Sequence, residues 1–191
     1  MAKVYPIKDR NKIPVIKRIL LKESRERDWI MIATGVYTGL RISDILNLKI
    51  KDVRNKDFIK IKAQKTKKIV KVEISEELKF ELKSFVKDKN GNEYLIRTTK
   101  TLDNEILNEP ISATQAYRIM KEVQHRAKIK DNLGTHSLRK TYAYYLYQNN
   151  DISVVQGALQ HENQLDTLRY IGVEEEVINK ATRSIKFFDN S

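Results

Sequence analysis

Apolar residues fall at helical spacing through most of this chain, and the period drops to two in one short stretch. Trp29, Ile30, Ile32, Ala33 and Val36 share one face and predict a helix over Arg25–Thr38. A shorter helix, Ile13–Lys22, precedes it, with Pro14 in the first turn, where a missing N–H costs little. Gly39 interrupts the pattern, and a short helix is expected from Arg41 to Leu48. Phe58–Lys62 and Ile69–Ile74 then alternate apolar and polar, as half-buried strands do. The basic run Gln64-Lys65-Thr66-Lys67-Lys68 joins them as a hairpin tip. Ser75 is placed to cap a helix reaching Val86, with Glu76 and Glu77 at its positive end.

The second half reads as helical. A loop over Lys87–Asn92, a short strand near Tyr94–Ile96 and another loop lead to Pro110. Ser112-x-x-Gln115 has the form of a capping box and opens a helix to Ala127. Thr135 is expected to cap a helix to Gln148, and Ser153 another through Leu159. A short helix should hold Leu168–Ile171, and an amphipathic one Glu174–Ile185. Val177, Ile178, Ala181, Ile185 and Phe188 form a stripe suited to docking on the chain's own domain or on a neighbour's. The class predicted is α+β, with helices around a small antiparallel sheet and hairpin.

Composition changes this picture little, and charge changes it more. At 191 residues and 40% apolar content the chain suits one domain with a good core. No stretch approaches the roughly 20 apolar residues of a membrane span, and the first residues do not resemble a signal peptide. With no cysteine there is no disulfide framework or thiolate metal site, so a cytoplasmic location is expected. The formal net charge is +12, and residues 1–72 hold 20 Lys/Arg against 7 Asp/Glu. A basic front on a near-neutral remainder suits a polyanionic partner, although a lysine-rich surface alone does not name it.

Candidate chemistry lies along the same chain. His136 and Arg139 are three residues apart and share a helix face near a helix start, where backbone amides favour a phosphate. An arginine fork can hold two phosphate oxygens at once. Arg41 begins a helix after the Gly39 break, and Asp44 lies on its face. Lys65 stands at the hairpin tip beside Lys67 and Lys68, where a charge run is ordinarily just solvated. His161 and Tyr170 are nine residues apart, and a phenol attacks well only where cations favour its phenolate. The three histidines, His125, His136 and His161, show no metal-ligand spacing.

In this order the segments Thr38-Gly39-Leu40-Arg41-Ile42-Ser43-Asp44, Gln64-Lys65-Thr66-Lys67, Gly134-Thr135-His136-Ser137-Leu138-Arg139-Lys140-Thr141 and Leu159-Gln160-His161 with Tyr170 resemble the tyrosine recombinases, or phage-type integrases, across residues 7–187. The resemblance implies a mostly helical integrase-type catalytic domain over 1–191, without the core-binding or arm-binding domains many members carry in front. It implies that Arg41 and Arg139 clamp the scissile phosphate. His136 would help take the tyrosine proton, His161 would bond a phosphate oxygen, and Lys65 would be the general acid. Asp44 would support the Arg41–His136 geometry, and Lys67, Lys68 and Lys140 would touch DNA. Tyr170 would attack and stay joined to the 3′ phosphate, with neither ATP nor metal needed. Double-stranded DNA is the implied partner, bound by a tetramer, with a separate core-binding domain or accessory protein as a further partner and no membrane role. A type IB topoisomerase-like nick-and-reseal enzyme and a non-catalytic DNA-binding module on the same fold remain the alternatives. One departure stands out: Gln160 replaces the usual glycine, and a left-handed backbone there would strain a glutamine, so a different loop is expected.

Overall fold

The alternation over residues 58–73 produces a two-stranded antiparallel ribbon. β1 (Phe58–Lys62) pairs with β2 (Ile69–Glu73) in a register that sets Ile59 opposite Val72 and Ile61 opposite Val70, both pairs turned inward. Ile59 is fully buried, while Phe58, Lys60, Lys62, Ile69, Lys71 and Glu73 face outward. These details come from a computed structural model that describes residues 3–65 and 67–185. Thr66 at the hairpin tip and Phe188 of the C-terminal stripe lie outside the described residues.

The chain divides after Tyr142 into two units, each with its own core. In the first, α1 (Lys12–Lys22) and α4 (Glu76–Val86) both pack on α2 (Glu26–Thr38). Trp29 through Gly35 are all buried, so α2 is the central element rather than a surface helix. Ser75 caps α4 by accepting from the Leu78 N–H at 3.3 Å. Gly39 ends α2 with a left-handed backbone (φ 64°), and α3 (Ile42–Leu46) follows, shorter than its sequence suggests. A single 3-10 turn, Ile50–Asp52, continues the chain toward β1.

Several expectations need correction. Tyr94–Ile96 is not a strand: Tyr94 makes only an isolated bridge to Lys49, and Arg97 another to Pro110. The small hairpin lies further on, as β3 (Thr101–Leu102) and β4 (Glu105–Ile106), with Asp103 and Asn104 both at positive φ. Two such residues in a two-residue loop match the twist of the flanking strands. α5 (Ala113–Arg126) starts as expected, Ser112 Oγ accepting from the Gln115 N–H at 3.1 Å. α6 (Thr135–Gln148) begins on Thr135 itself, so that residue is not the cap. Instead Ser137 Oγ reaches back to accept from the Gly134 N–H at 3.1 Å.

The second unit holds the end of α6 and α7 (Ile152–Leu159), α8 (Gln164–Ile171) and α9 (Glu174–Arg183) around Ala143, Val155, Leu159, Ile171 and Val173. Asp151, not Ser153, occupies the start of α7, and α8 begins four residues earlier than its apolar pattern shows. Asn163 fixes that start, its side chain accepting from the Asp166 N–H at 2.7 Å. Val177 of α9 packs against this core, whereas Ile178, Ala181 and Ile185 are exposed.

Gln160 adopts the left-handed conformation after all, at φ 54° and ψ 40°, and closes α7. The turn is kept because the N–H groups of Gln160 and His161 bond the carbonyls of Gly157 and Gln156, each at 3.0 Å. A side chain there costs about 1 kcal/mol that glycine would not. Gln160→Gly is therefore expected to raise the melting temperature by about 2–4 °C, and Gln160→Ala to leave it unchanged. Thermal unfolding followed by circular dichroism checks this, and equal effects of the two variants would contradict it.

Candidate active site

The first group of functional side chains is built around the turn at Gly39. The left-handed residue reverses the chain after α2, and Arg41, two residues on, sits at the start of α3 with extended backbone. Arg139, one turn into α6, donates from Nη1 to the Gly39 carbonyl and is 7% exposed. The two arginines are thus tied to one short segment, although 98 positions separate them in the sequence. A Cβ on residue 39 would lie 2.3 Å from Tyr142 Cδ1, so only glycine fits this turn.

Asp44 has a role that its spacing does not show. It is buried, and its Oδ1 accepts from the Gln64 backbone N–H at 2.8 Å. Among the described residues it makes no hydrogen bond or ion pair to Arg41 or His136. The carboxylate therefore fastens the base of the β1–β2 hairpin to α3, one residue before Lys65. Ala63 and Lys68 close the tip, with the Ala63 N–H donating to the Lys68 carbonyl at 2.9 Å. Lys65, Lys67 and Lys68 all project into solvent.

His136 stands exposed at the start of α6. Its pKa is pushed below the ordinary histidine value, first by partial desolvation and then by the charges of Lys140, Arg139, Arg41 and Lys65. Positive charge from four side chains thus acts on one imidazole, an environment suited to an anionic centre. It also keeps the ring neutral near pH 7, able to accept a proton. Lys140 is itself half-buried, and burial together with the charge of Lys3 lowers its pKa.

The second group lies within the second unit. His161 and Tyr170 meet edge to face, ring centroids 5.1 Å apart and planes at 86°. His161 Nδ1 lies 3.1 Å from Thr167 Oγ1. Among the described residues no cluster of three or more His, Asp or Glu side chains could hold a metal ion, and no helix is long and apolar enough to cross a membrane.

Residues 12–176 match the phage integrase family. The chain belongs to this family of tyrosine recombinases. Within it, the chain is 41% identical over 179 residues to the Bacillus subtilis protein called "Probable integrase/recombinase YoeC", covering 93% of this chain and 94% of that protein. It is 25% identical to tyrosine recombinase XerA of Pyrococcus furiosus, over 92% of this chain but only 61% of that one. Among solved structures, XerH recombinase bound to palindromic difH in a post-cleavage complex superposes with a TM-score of 0.70 at 22% identity, covering 95% of this chain and 54% of XerH. The chain thus spans nearly all of the Bacillus relative and little more than half of the Xer recombinases.

Three supports of the candidate site carry little or no signal in the sequence. The Gly39 carbonyl under Arg139 and the Gln64 N–H under Asp44 are backbone groups, which carry no sequence signal. Thr167 could have been noticed, since it stands one helical turn before Tyr170, but a lone threonine among periodic apolar residues gives no reason to single it out.

Proposed function

We propose that this chain cuts and rejoins DNA at specific sites through a 3′-phosphotyrosine intermediate. The observation that carries the reading is the turn at Gly39, which seats Arg41 two residues on and holds the Arg139 guanidinium by its carbonyl, with the charges of both arginines, Lys65 and Lys140 acting on His136. Cations aimed at a developing charge are usually the largest catalytic contribution, and a pentavalent phosphate gains such charge. Arg41 and Arg139 hold the non-bridging oxygens. Tyr170 Oη forms a bond to phosphorus as the bond to the 5′ oxygen breaks. The phenolic proton passes to His136, and Lys65 supplies a proton to the leaving 5′ oxygen. His161 bonds a phosphate oxygen, and Asp44 serves by fixing the hairpin that carries Lys65.

A second 5′ hydroxyl reverses the step on another strand. One phosphodiester replaces another, so no ATP is consumed, and the cationic side chains take the part a metal plays in other phosphoryl-transfer sites. Double-stranded DNA is the partner this chemistry needs. Lys60 and Lys71 support that choice, because they stand directly opposite each other on the outer face of the ribbon. Like charges so placed are destabilising unless an anion lies over them. Lys67 and Lys68 extend the same surface. A tetramer on DNA is the assembly proposed, with the exposed Ile178, Ala181 and Ile185 of α9 available to a neighbouring copy.

Covalent trapping tests the proposal. The protein is mixed with nicked suicide duplexes in EDTA and run on denaturing gels beside Tyr170→Phe. The expected result is a protein–DNA adduct that forms without metal and disappears in the variant. DNA binding without any adduct, also in the presence of a supplied core-binding domain, would replace the recombinase with a binding module. Relaxation of supercoils without strand exchange would favour the topoisomerase-like alternative.

A further inference from the structure

The hydroxyl of Thr167 has two neighbours and one proton. Oγ1 lies 3.0 Å from the Asn163 carbonyl oxygen and 3.1 Å from His161 Nδ1, and the residue is fully buried. A carbonyl can only accept, so the threonine proton belongs to Asn163. Toward His161 the hydroxyl is left with lone pairs, and Nδ1 must bring the hydrogen. The hydrogen-bond chain therefore runs from His161 Nδ1–H to Thr167 Oγ1–H to the Asn163 carbonyl.

Both ends of that chain are held. Asn163 caps α8, and its Nδ2 donates to Asp166 Oδ2 at 2.6 Å, which fixes the residue whose carbonyl receives the proton. The His161 backbone is held from α7: its N–H donates to the Gln156 carbonyl at 3.0 Å, and Gln156 Nε2 donates back to the His161 carbonyl at 3.2 Å. With the backbone fixed and Nδ1 committed, the ring has one orientation, edge to face with Tyr170.

We propose that Thr167 is a positioning residue that fixes His161 as the Nδ1–H tautomer, with Nε2 as its acceptor, beside the Tyr170 nucleophile. This rests on the recombinase reading for its use in catalysis, but not for the tautomer itself. Neutral His161 then takes a proton at Nε2, and a donated bond to a phosphate oxygen is made by the imidazolium. Which nitrogen carries hydrogen is commonly set in this way by the partner of the other one.

Long-range proton–nitrogen spectra of the ¹⁵N-labelled full chain, at a pH where His161 is neutral, report the tautomer directly. The expected result is a protonated Nδ1 in the wild type and in Thr167→Ser. In Thr167→Val, which keeps the shape but loses the acceptor, the hydrogen should move to Nε2. Adduct formation should slow by roughly tenfold to a hundredfold in Thr167→Val and recover in Thr167→Ser, the range seen when a partner that orients a functional histidine is lost. A wild-type ring protonated at Nε2, or a Thr167→Val ring unchanged from wild type, overturns the proposal. A switched tautomer with unchanged cleavage overturns the positioning role. If the wild type forms no adduct on any duplex, the recombinase reading fails, and the spectra still decide what Thr167 does.

Discussion

Arg139→Lys is expected to slow DNA strand cleavage by roughly 10²–10³-fold while changing DNA affinity about threefold or less. The reason is the Gly39 carbonyl. Arg139 is buried and gives Nη1 to that oxygen, and a guanidinium has other N–H groups in the same plane with which to grip a phosphate. A lysine ammonium is a point charge on a flexible stem. Placed here it either satisfies the carbonyl and withdraws from the phosphate, or reaches the phosphate and strands a buried acceptor. Both outcomes weaken the transition state more than the ground state, because charge builds on the phosphate oxygens only as the tyrosine attacks. Affinity depends on many phosphate contacts and changes little with one of them. Single-turnover cleavage of a suicide duplex, beside anisotropy of the same labelled DNA, separates the two effects. Cleavage within tenfold of wild type would mean that the fork geometry is unimportant and charge alone suffices.

Much of this architecture could be read before any coordinates. The period-two run over residues 58–73 and the serine caps at Ser75 and Ser112 are strong local signals, and each element formed where it was expected. β3 and β4 were not foreseen because each contributes two exposed residues, too few for any period to show. The starts of α6, α7 and α8 were misplaced for a related reason. Several capping-competent residues lie near each start, and which one is used depends on the chain path into the helix.

The candidate site divides along the same line. Arg41, Lys65, His136, Arg139, His161 and Tyr170 are visible because their side chains have the chemistry that the proposed reaction would use. The groups that aim them are not, since Asp44 meets Gln64 through a backbone amide 20 positions away and Arg139 meets Gly39 through a carbonyl 100 positions away. Gln160 is the case where the sequence points away from the turn that forms. Its left-handed strain is real, but two main-chain hydrogen bonds outweigh it, and the turn keeps its shape.

Gly39→Ala is expected to destabilise the first unit by about 2–5 kcal/mol, summing two separate costs. One is conformational: at φ 64° an L-residue pays about 1–2 kcal/mol that glycine does not. The other is steric, because the new methyl would sit 2.3 Å from Tyr142 Cδ1 and 2.8 Å from Cε1, far inside contact distance. Tyr142 leaves α6 one turn after Leu138, and its ring is half-buried, so it cannot simply swing away without uncovering the turn. The two costs come apart in a double-mutant cycle with Tyr142→Ala, measured by denaturant unfolding. Removing the ring should relieve the steric cost and leave the conformational one, giving a favourable coupling of about 1–3 kcal/mol. Additive effects would show that the methyl is accommodated by a shift of the backbone at residue 39. In that event the Gly39 carbonyl moves with it, and Arg139 loses the acceptor that aims it. A Gly39→Ala protein that folds well should then cleave poorly, whereas one that folds badly but keeps the turn should cleave in proportion to its folded fraction. The pair of measurements thus tells whether this glycine is required chiefly by the packing of α6 or by the placement of the arginine.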